Sequence, residues 1–227
     1  MALRRRSVEA ETGYALPQQG TLLTPLLDAL PFELTAAQRR VIGEIHADMA
    51  APRPLHRLVQ GDVGSGKTIV ALCAALAAIE NGYQVAFMAP TELLAEQHYH
   101  TLESLTRPLG IDTVLLTGQL TRTQRRPILD RISEGAVQLV VGTHALIQDG
   151  VRFRALGLGV IDEQHRFGVL QRAAIRHLSE TGSDDAPATM PDILLMTATP
   201  IPRTLSLTVY GDLDVSILEM SGLVYVI

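Results

Sequence analysis

The sequence contains no tryptophan and a single cysteine, Cys73, among 227 residues. A lone thiol closes no internal disulfide, so the fold cannot depend on a cystine framework, and the chain suits a reducing compartment. No apolar run approaches the roughly 18 residues of a membrane-crossing helix. The start, Met1-Ala2-Leu3-Arg4-Arg5-Arg6-Ser7, is basic without an apolar stretch behind it, which does not read as a secretory signal. These absences set the expectation of a cytoplasmic protein with no membrane partner. Positive charge is also scarce: 19 Lys and Arg face 24 Asp and Glu, a net −5. A nucleic-acid binder that relied on bulk charge would be basic, because neutralising phosphates with Lys and Arg supplies most non-specific affinity. Any such contact would have to run through local loops, or through other parts of a larger protein. Beyond Arg4, Arg5 and Arg6, the notable basic cluster is Arg122, Arg125, Arg126 and Arg131. It reads either as a solvated helix face or as a local contact.

What is present is apolar side chain in a regular rhythm. With 47% hydrophobic and 19% charged residues, the chain can fill one domain with a short appendage. Nearly continuous apolar runs at 55–60, 84–89, 113–117, 138–142, 158–162 and 193–198 read as parallel strands buried on both faces. Amphipathic stretches between them, at 68–80, 91–105, 121–133 and 169–179, read as helices, and 35–49 as a further helix capped by Thr35. Strand–helix alternation at this spacing predicts an α/β fold: a parallel sheet flanked by helices on both faces. Ligands then bind outside the carboxyl ends of the strands. Residues 1–30 are polar and aperiodic apart from 22–30, and read as a linker or the end of an upstream domain. The domain itself spans 31–220, with a composition-defined surface loop at 180–191 and an atypical apolar tail at 221–227.

Gly61-Asp62-Val63-Gly64-Ser65-Gly66-Lys67-Thr68 matches GxxxxGK[ST] between a strand-like and a helix-like stretch. That context disfavours the plain alternative of a flexible glycine-rich turn. Glycines at Gly61, Gly64 and Gly66, with Ser65 between, let backbone N–H groups curl around phosphates without a Cβ in the way. The helix that starts near Lys67 points its positive end at the same anion. Lys67 is placed for the β/γ-phosphate oxygens and the Thr68 hydroxyl for Mg²⁺. The cofactors implied are ATP and Mg²⁺, the fold a P-loop nucleoside triphosphatase.

The run Leu158-Gly159-Val160-Ile161-Asp162-Glu163-Gln164-His165 is an apolar strand ending in two carboxylates. By itself such a pair is most simply a helix cap. Roughly a hundred residues after a phosphate loop it becomes that loop's partner. Asp162 would hold Mg²⁺ through water, and Glu163 would polarise the attacking water as general base. His165 either couples nucleotide state to nucleic acid through hydrogen bonds or finishes the turn.

Further segments resemble superfamily 2 helicases and translocases, whose motor domains are RecA-like. Leu34-Thr35-Ala36-Ala37-Gln38, after Phe32, is similar to the family's adenine-reading motif, with Gln38 placed for a bidentate bond. Ala89-Pro90-Thr91-Glu92-Leu93-Leu94-Ala95-Glu96-Gln97 looks like the strand-contacting Ia segment, Thr117-Gly118 like a further contacting turn, and Gly142-Thr143-His144-Ala145-Leu146 like motif Ib. Met196-Thr197-Ala198-Thr199-Pro200 looks like motif III, which links the nucleotide site to the nucleic-acid path. The resemblance thus implies DNA contact or coupling at Pro90, Thr91, Gln97, Gly118, Thr143, His144, His165, Thr197 and Thr199. Taken singly, Thr91 is equally a helix cap, and Thr143 with His144 an ordinary strand-to-helix turn. Together they share one rim of the sheet, where N–H groups and hydroxyls can hold phosphates.

Asp162-Glu163-Gln164-His165-Arg166-Phe167-Gly168-Val169 and Thr197-Ala198-Thr199-Pro200-Ile201-Pro202-Arg203-Thr204 resemble the RecG family, DNA helicases that remodel branched or forked duplexes in recombination and repair. Transcription-repair coupling translocases share similar runs but typically carry Glu where Gln164 stands; their motor half is the alternative, and a non-catalytic nucleotide-binding remnant a second. The acidic motif is DEQH rather than DEAD, which weighs against an RNA helicase. The resemblance runs from about Leu26 to Met220. It implies that the family's wedge domain, its second RecA-like domain and the opposing arginine fingers are missing from this chain. The expectation is a truncated motor that binds ATP weakly and hydrolyses it poorly alone.

Overall fold

The computed structural model describes residues 12–148, 150–162, 189–199 and 213–219. Among these residues seven strands form one sheet: β1 (His56–Gly61), β2 (Gln84–Met88), β3 (Thr113–Leu116), β4 (Leu139–Gly142), β5 (Leu156–Asp162), β6 (Asp192–Thr197) and β7 (Asp214–Leu218). Their order is β3-β4-β2-β5-β6-β1-β7, and every pairing is parallel. All carboxyl ends therefore emerge on one edge. The expected strands appear within a residue or two of their predicted bounds. Each is apolar on both faces, as in β4 and β6, where every residue is buried. The strand not foreseen is β7, whose Asp214 and Ile217 are exposed while Ser216 is buried.

Among the described residues five α-helices cover the sheet: α1 (Leu23–Ala29), α2 (Ala36–Met49), α3 (Lys67–Glu80), α4 (Glu92–Thr106) and α5 (Arg122–Ser133). Alternate strand residues sort them between the faces. Val85 and Phe87 pack into the cluster that holds Val41 and Ile45 of α2, Val70 and Leu76 of α3, and Leu102 of α4. Ala86 points the other way, into the cluster that contains Val114, Val140 and Ile132 of α5. Helices thus lie on both faces, as expected. Threonine caps start α2, α4 and α5 at Thr35, Thr91 and Thr121, each side chain accepting a first-turn N–H. Helix α3 is apolar all round because it is buried all round: every residue from Ile69 to Ala78 is buried. Cys73 lies in that run, where burial pushes its thiol up to about 12, the behaviour of an inert packing residue. No helix among the described residues is long and apolar enough to cross a membrane.

Residues 12–30, within the stretch read as a linker or the end of an upstream domain, pack on this same core. Leu16, Leu23 and Leu26 are buried within it. The carboxylate of Glu80, at the end of α3, accepts the backbone N–H groups of Gln19, Gly20 and Leu22 and the Thr21 hydroxyl. Burial raises the Glu80 pKa, but these donors outweigh it and hold the carboxyl below its ordinary value. The helix expected at 169–179 lies outside the described residues, as does most of the loop expected at 180–191.

Candidate nucleotide site and the sheet rim

Strand β1 delivers Gly61 to the carboxyl edge, and the chain curls through Gly64 and Gly66, at φ +81° and +80°, before α3 begins at Lys67. Gly66 is required twice over. Its left-handed backbone disfavours a side chain, and a Cβ there would lie 2.3 Å from Gln38 Nε2. As the cap of α3, Gly66 offers no side-chain hydrogen bond, which leaves the positive end of the helix open to an anion. Lys67 folds back over the loop: Nζ donates to the carbonyls of Gly61 at 2.7 Å and Asp62 at 2.8 Å. Burial lowers its pKa, while the charges of Asp162 and then Asp62 pull the other way, so Asp162 lies within electrostatic reach of Lys67. Thr68, half-buried, begins α3 beside it. Ser65 Oγ is buried with no hydrogen-bond partner, one of two such atoms among the described residues.

Gln38 was expected to face adenine through both ends of its amide. Its side chain is buried and already engaged: Oε1 accepts the Thr35 N–H at 2.8 Å, closing the α2 capping box, and Nε2 donates to the Ser65 carbonyl at 2.9 Å. A base could be read here only by exchanging or sharing one of these bonds.

Asp162 ends β5 opposite Met196 of β6, and Thr197 of β6 lies opposite Gln60 of β1. Strand β6 therefore separates the strand that feeds the phosphate loop from the one that carries the acid. Thr197, fully buried, turns its hydroxyl onto Thr199: the Oγ1 atoms are 3.0 Å apart, and the Thr199 N–H donates to Thr197 Oγ1 at 3.1 Å. Glu163, Gln164 and His165 lie outside the described residues. One partner of the acid was not foreseen. His98 of α4, one residue past the Ia-like run, brings Nε2 to 2.7 Å from Asp162 Oδ2. No local pattern marks it, since the contact joins positions 64 residues apart.

The donor set fits a magnesium nucleotide. An ammonium and a helix amino end suit phosphates, while a hydroxyl and a carboxylate supply the hard oxygen ligands Mg²⁺ prefers. Among the described residues no group of three His, Cys, Asp or Glu side chains could hold a metal alone. A cation here would need phosphate oxygens as further ligands, as is usual for Mg²⁺.

Around the same edge, Pro90, Thr91, Gln97, Gly118 and His144 are exposed. Thr91 nonetheless caps α4 through Leu94 N at 3.3 Å, and Glu92 receives the Gln119 side-chain amide beside Gly118. Thr143 is buried and accepts the Ala145 N–H at 3.4 Å. It supports the turn that presents His144 rather than facing solvent itself.

Residues 35–208 match the DEAD/DEAH box helicase family. The chain is 55% identical over 197 residues to the ATP-dependent DNA helicase RecG of Synechocystis sp., covering 87% of this chain and 23% of that protein. It is 53% identical over 204 residues to the protein of that name from Escherichia coli, covering 90% and 29%. A solved structure of RecG bound to a three-way DNA junction superposes with a TM-score of 0.77 at 41% identity, over 92% of this chain and 27% of that one. The DUF1998 helicase MrfA bound to DNA superposes with a TM-score of 0.66 at 17% identity, a likeness of fold alone. The chain thus spans 23–29% of the length of these curated relatives.

Proposed function

The chain belongs to the DEAD/DEAH box helicase family, and on that premise we propose that it is the ATP-binding, first RecA-like motor domain of a RecG-like DNA helicase. The observation that carries this reading is the placement of the glycine loop and Asp162 at the carboxyl ends of β1 and β5, two strands of one parallel sheet separated only by β6. In this reading the loop N–H groups and the α3 amino end bind the phosphates. Lys67 exchanges its two carbonyl partners for β/γ oxygens. Thr68 and Asp162 hold Mg²⁺, which when bound neutralises charge on the transferring phosphoryl group. Glu163 orients and deprotonates the attacking water. Gln38 senses the base while it keeps α2 and the loop in register.

The exposed rim at Pro90, Thr91, Gln97, Gly118 and His144 follows one DNA strand, with Thr143, His165, Thr197 and Thr199 coupling that path to the nucleotide. The relatives' name and the junction-bound RecG support branched DNA as the substrate of the whole enzyme; a cytoplasmic site of action is part of the same proposal. That activity also draws on a second RecA-like domain with its arginine finger and on a wedge domain. An arginine finger supplied by such a domain raises hydrolysis by orders of magnitude.

The test is a titration of the chain with a fluorescent ATP analogue and Mg²⁺. Saturable binding in wild type that is lost in Lys67→Ala supports the motor. Absence of binding in wild type overturns it in favour of a remnant.

A further inference from the structure

We propose that His98 is a positioning residue for the Asp162 carboxylate, tying the metal side of the nucleotide site to the helix whose amino end lies on the DNA-facing rim. The proposal rests on the reading above, in which Asp162 holds Mg²⁺. A carboxylate at a strand end rotates freely unless something fixes it, and a metal ligand that must reorient loses affinity. His98 Nε2 stands 2.7 Å from Asp162 Oδ2, with the two side chains only 15% and 19% exposed. The imidazole is itself held from behind: its centroid lies 4.8 Å from that of Phe87, tilted by 50°, and Phe87 is buried in β2. Because β2 and β5 are neighbours in the sheet, one rigid surface carries both the backstop and the acid. The Nε2–H donor engages Oδ2 and fixes the carboxylate plane, so that Oδ1 is the atom left for a metal or its water.

Position 98 is also on the helix that Thr91 caps. Seven residues, about two helical turns, separate the rim from the imidazole. A shift of α4 on engaging a DNA strand would therefore move the group that holds Asp162. None of the rim segments identified by resemblance contains this residue: the Ia run ends at Gln97.

The test separates ring from donor. His98→Phe keeps an aromatic ring against Phe87 and removes the hydrogen bond. His98→Gln places an amide N–H close to the position of Nε2 and removes the ring. The readout is the Mg²⁺ concentration at half-maximal binding of a fluorescent ATP analogue to the full chain, with metal-free nucleotide binding and thermal midpoint measured alongside. His98→Phe should raise the Mg²⁺ midpoint about tenfold, and His98→Gln should recover most of it, with metal-free binding unchanged. If the Phe variant does not fold, His98→Asn, whose shorter amide stops short of Asp162, carries the same expectation.

An unchanged midpoint in the donor-free variant, beside a raised one in Asp162→Asn, overturns the role of His98 alone. A midpoint unmoved in Asp162→Asn, or nucleotide binding without any Mg²⁺ dependence in wild type, overturns the nucleotide-site reading with it.

Discussion

Gln38 Nε2 donates to the Ser65 carbonyl at 2.9 Å while its Oε1 accepts from Thr35, so one buried amide both starts α2 and braces the phosphate loop. The two bonds can be separated by substitution. Gln38→Glu keeps the acceptor toward Thr35 but loses the donor and places negative charge beside the loop. Its thermal midpoint should stay near wild type, while affinity for the ATP analogue falls more than tenfold, about 1.4 kcal/mol. Gln38→Ala removes both bonds and should cost about 1–2 kcal/mol of stability in urea unfolding. Equal loss of stability in the two variants would show that the capping bond is not what the amide contributes.

Arg57 is a second buried hub. From β1 its guanidinium donates to Asp48 and, at 2.7 Å, to Ser216 of β7; it lies 3.4 Å from Glu44. Glu44 also accepts the Ser216 hydroxyl, the largest cause of its lowered pKa. Removing the cation takes the shared counter-charge from two partly buried carboxylates, Glu44 and Asp48, so Arg57→Met should destabilise by about 3 kcal/mol. Hydrogen exchange should report the loss first at the β7 amides, since α2 and β1 retain other packing and β7 is an edge strand.

Asp192 predicts a pH dependence of stability. It begins β6 fully buried; Oδ1 accepts the Leu55 N–H at 2.7 Å and Oδ2 has no partner. Burial, opposed by that hydrogen bond and reinforced by Asp48, raises its pKa to about 7 from the ordinary 3.8. The folded chain then holds a proton that the unfolded chain has released. This contribution to stability is complete below pH 3.8 and disappears as pH rises through 7. Asp192→Asn mimics the protonated form and keeps an acceptor for Leu55. Calorimetry should show no gain near pH 4 and a gain of about 5 °C at pH 8, corresponding to roughly 2 kcal/mol. A gain that does not grow with pH would refute the assignment.

Arg122 and Arg126 are exposed on the first two turns of α5, which follows Gly118 along the rim. Farther along the helix, Arg131 is paired with Asp112, so it is not available to a phosphate in the same way. With DNA along the rim, Arg122→Ala with Arg126→Ala should weaken DNA binding for all sequences alike. The slope of log affinity against log salt should fall by about one for each phosphate contact removed. Mg²⁺-nucleotide binding should not change. An unaltered slope would make this cluster a solvated face.

The parts of the fold visible in the sequence are those governed by local physics. Parallel strands wedged between helices must be apolar throughout, so β1 to β6 stand out as runs, and Thr35, Thr91 and Thr121 mark helix starts because N-caps need a short oxygen-bearing side chain. The glycine loop announces itself for the same reason: a φ near +80° and a nearby amide tolerate nothing larger at Gly66. What stayed hidden depends on contacts distant in sequence. Strand β7 is an edge strand with polar positions, and its place is set by Arg57, roughly 160 residues away. The contact of His98 with Asp162 and the capture of residues 19–22 by Glu80 likewise leave no periodic trace. They join segments that only the sheet order brings together.

That order also dictates when the glycine turn can be held in place. Strand β1 has two lateral partners, β6 and β7, and both are made after everything else in the sheet. As the polypeptide leaves the ribosome, β2, β3, β4 and β5 can join edge to edge on their own. Meanwhile the segment bearing the glycine turn waits, unpaired, for some 130 further residues. Chains arrested near residue 170 should remain open to protease at 56–68, and those extended past 219 should resist it. The glycine turn, made early, is thus flanked on both sides only when the last strands of the sheet have been made.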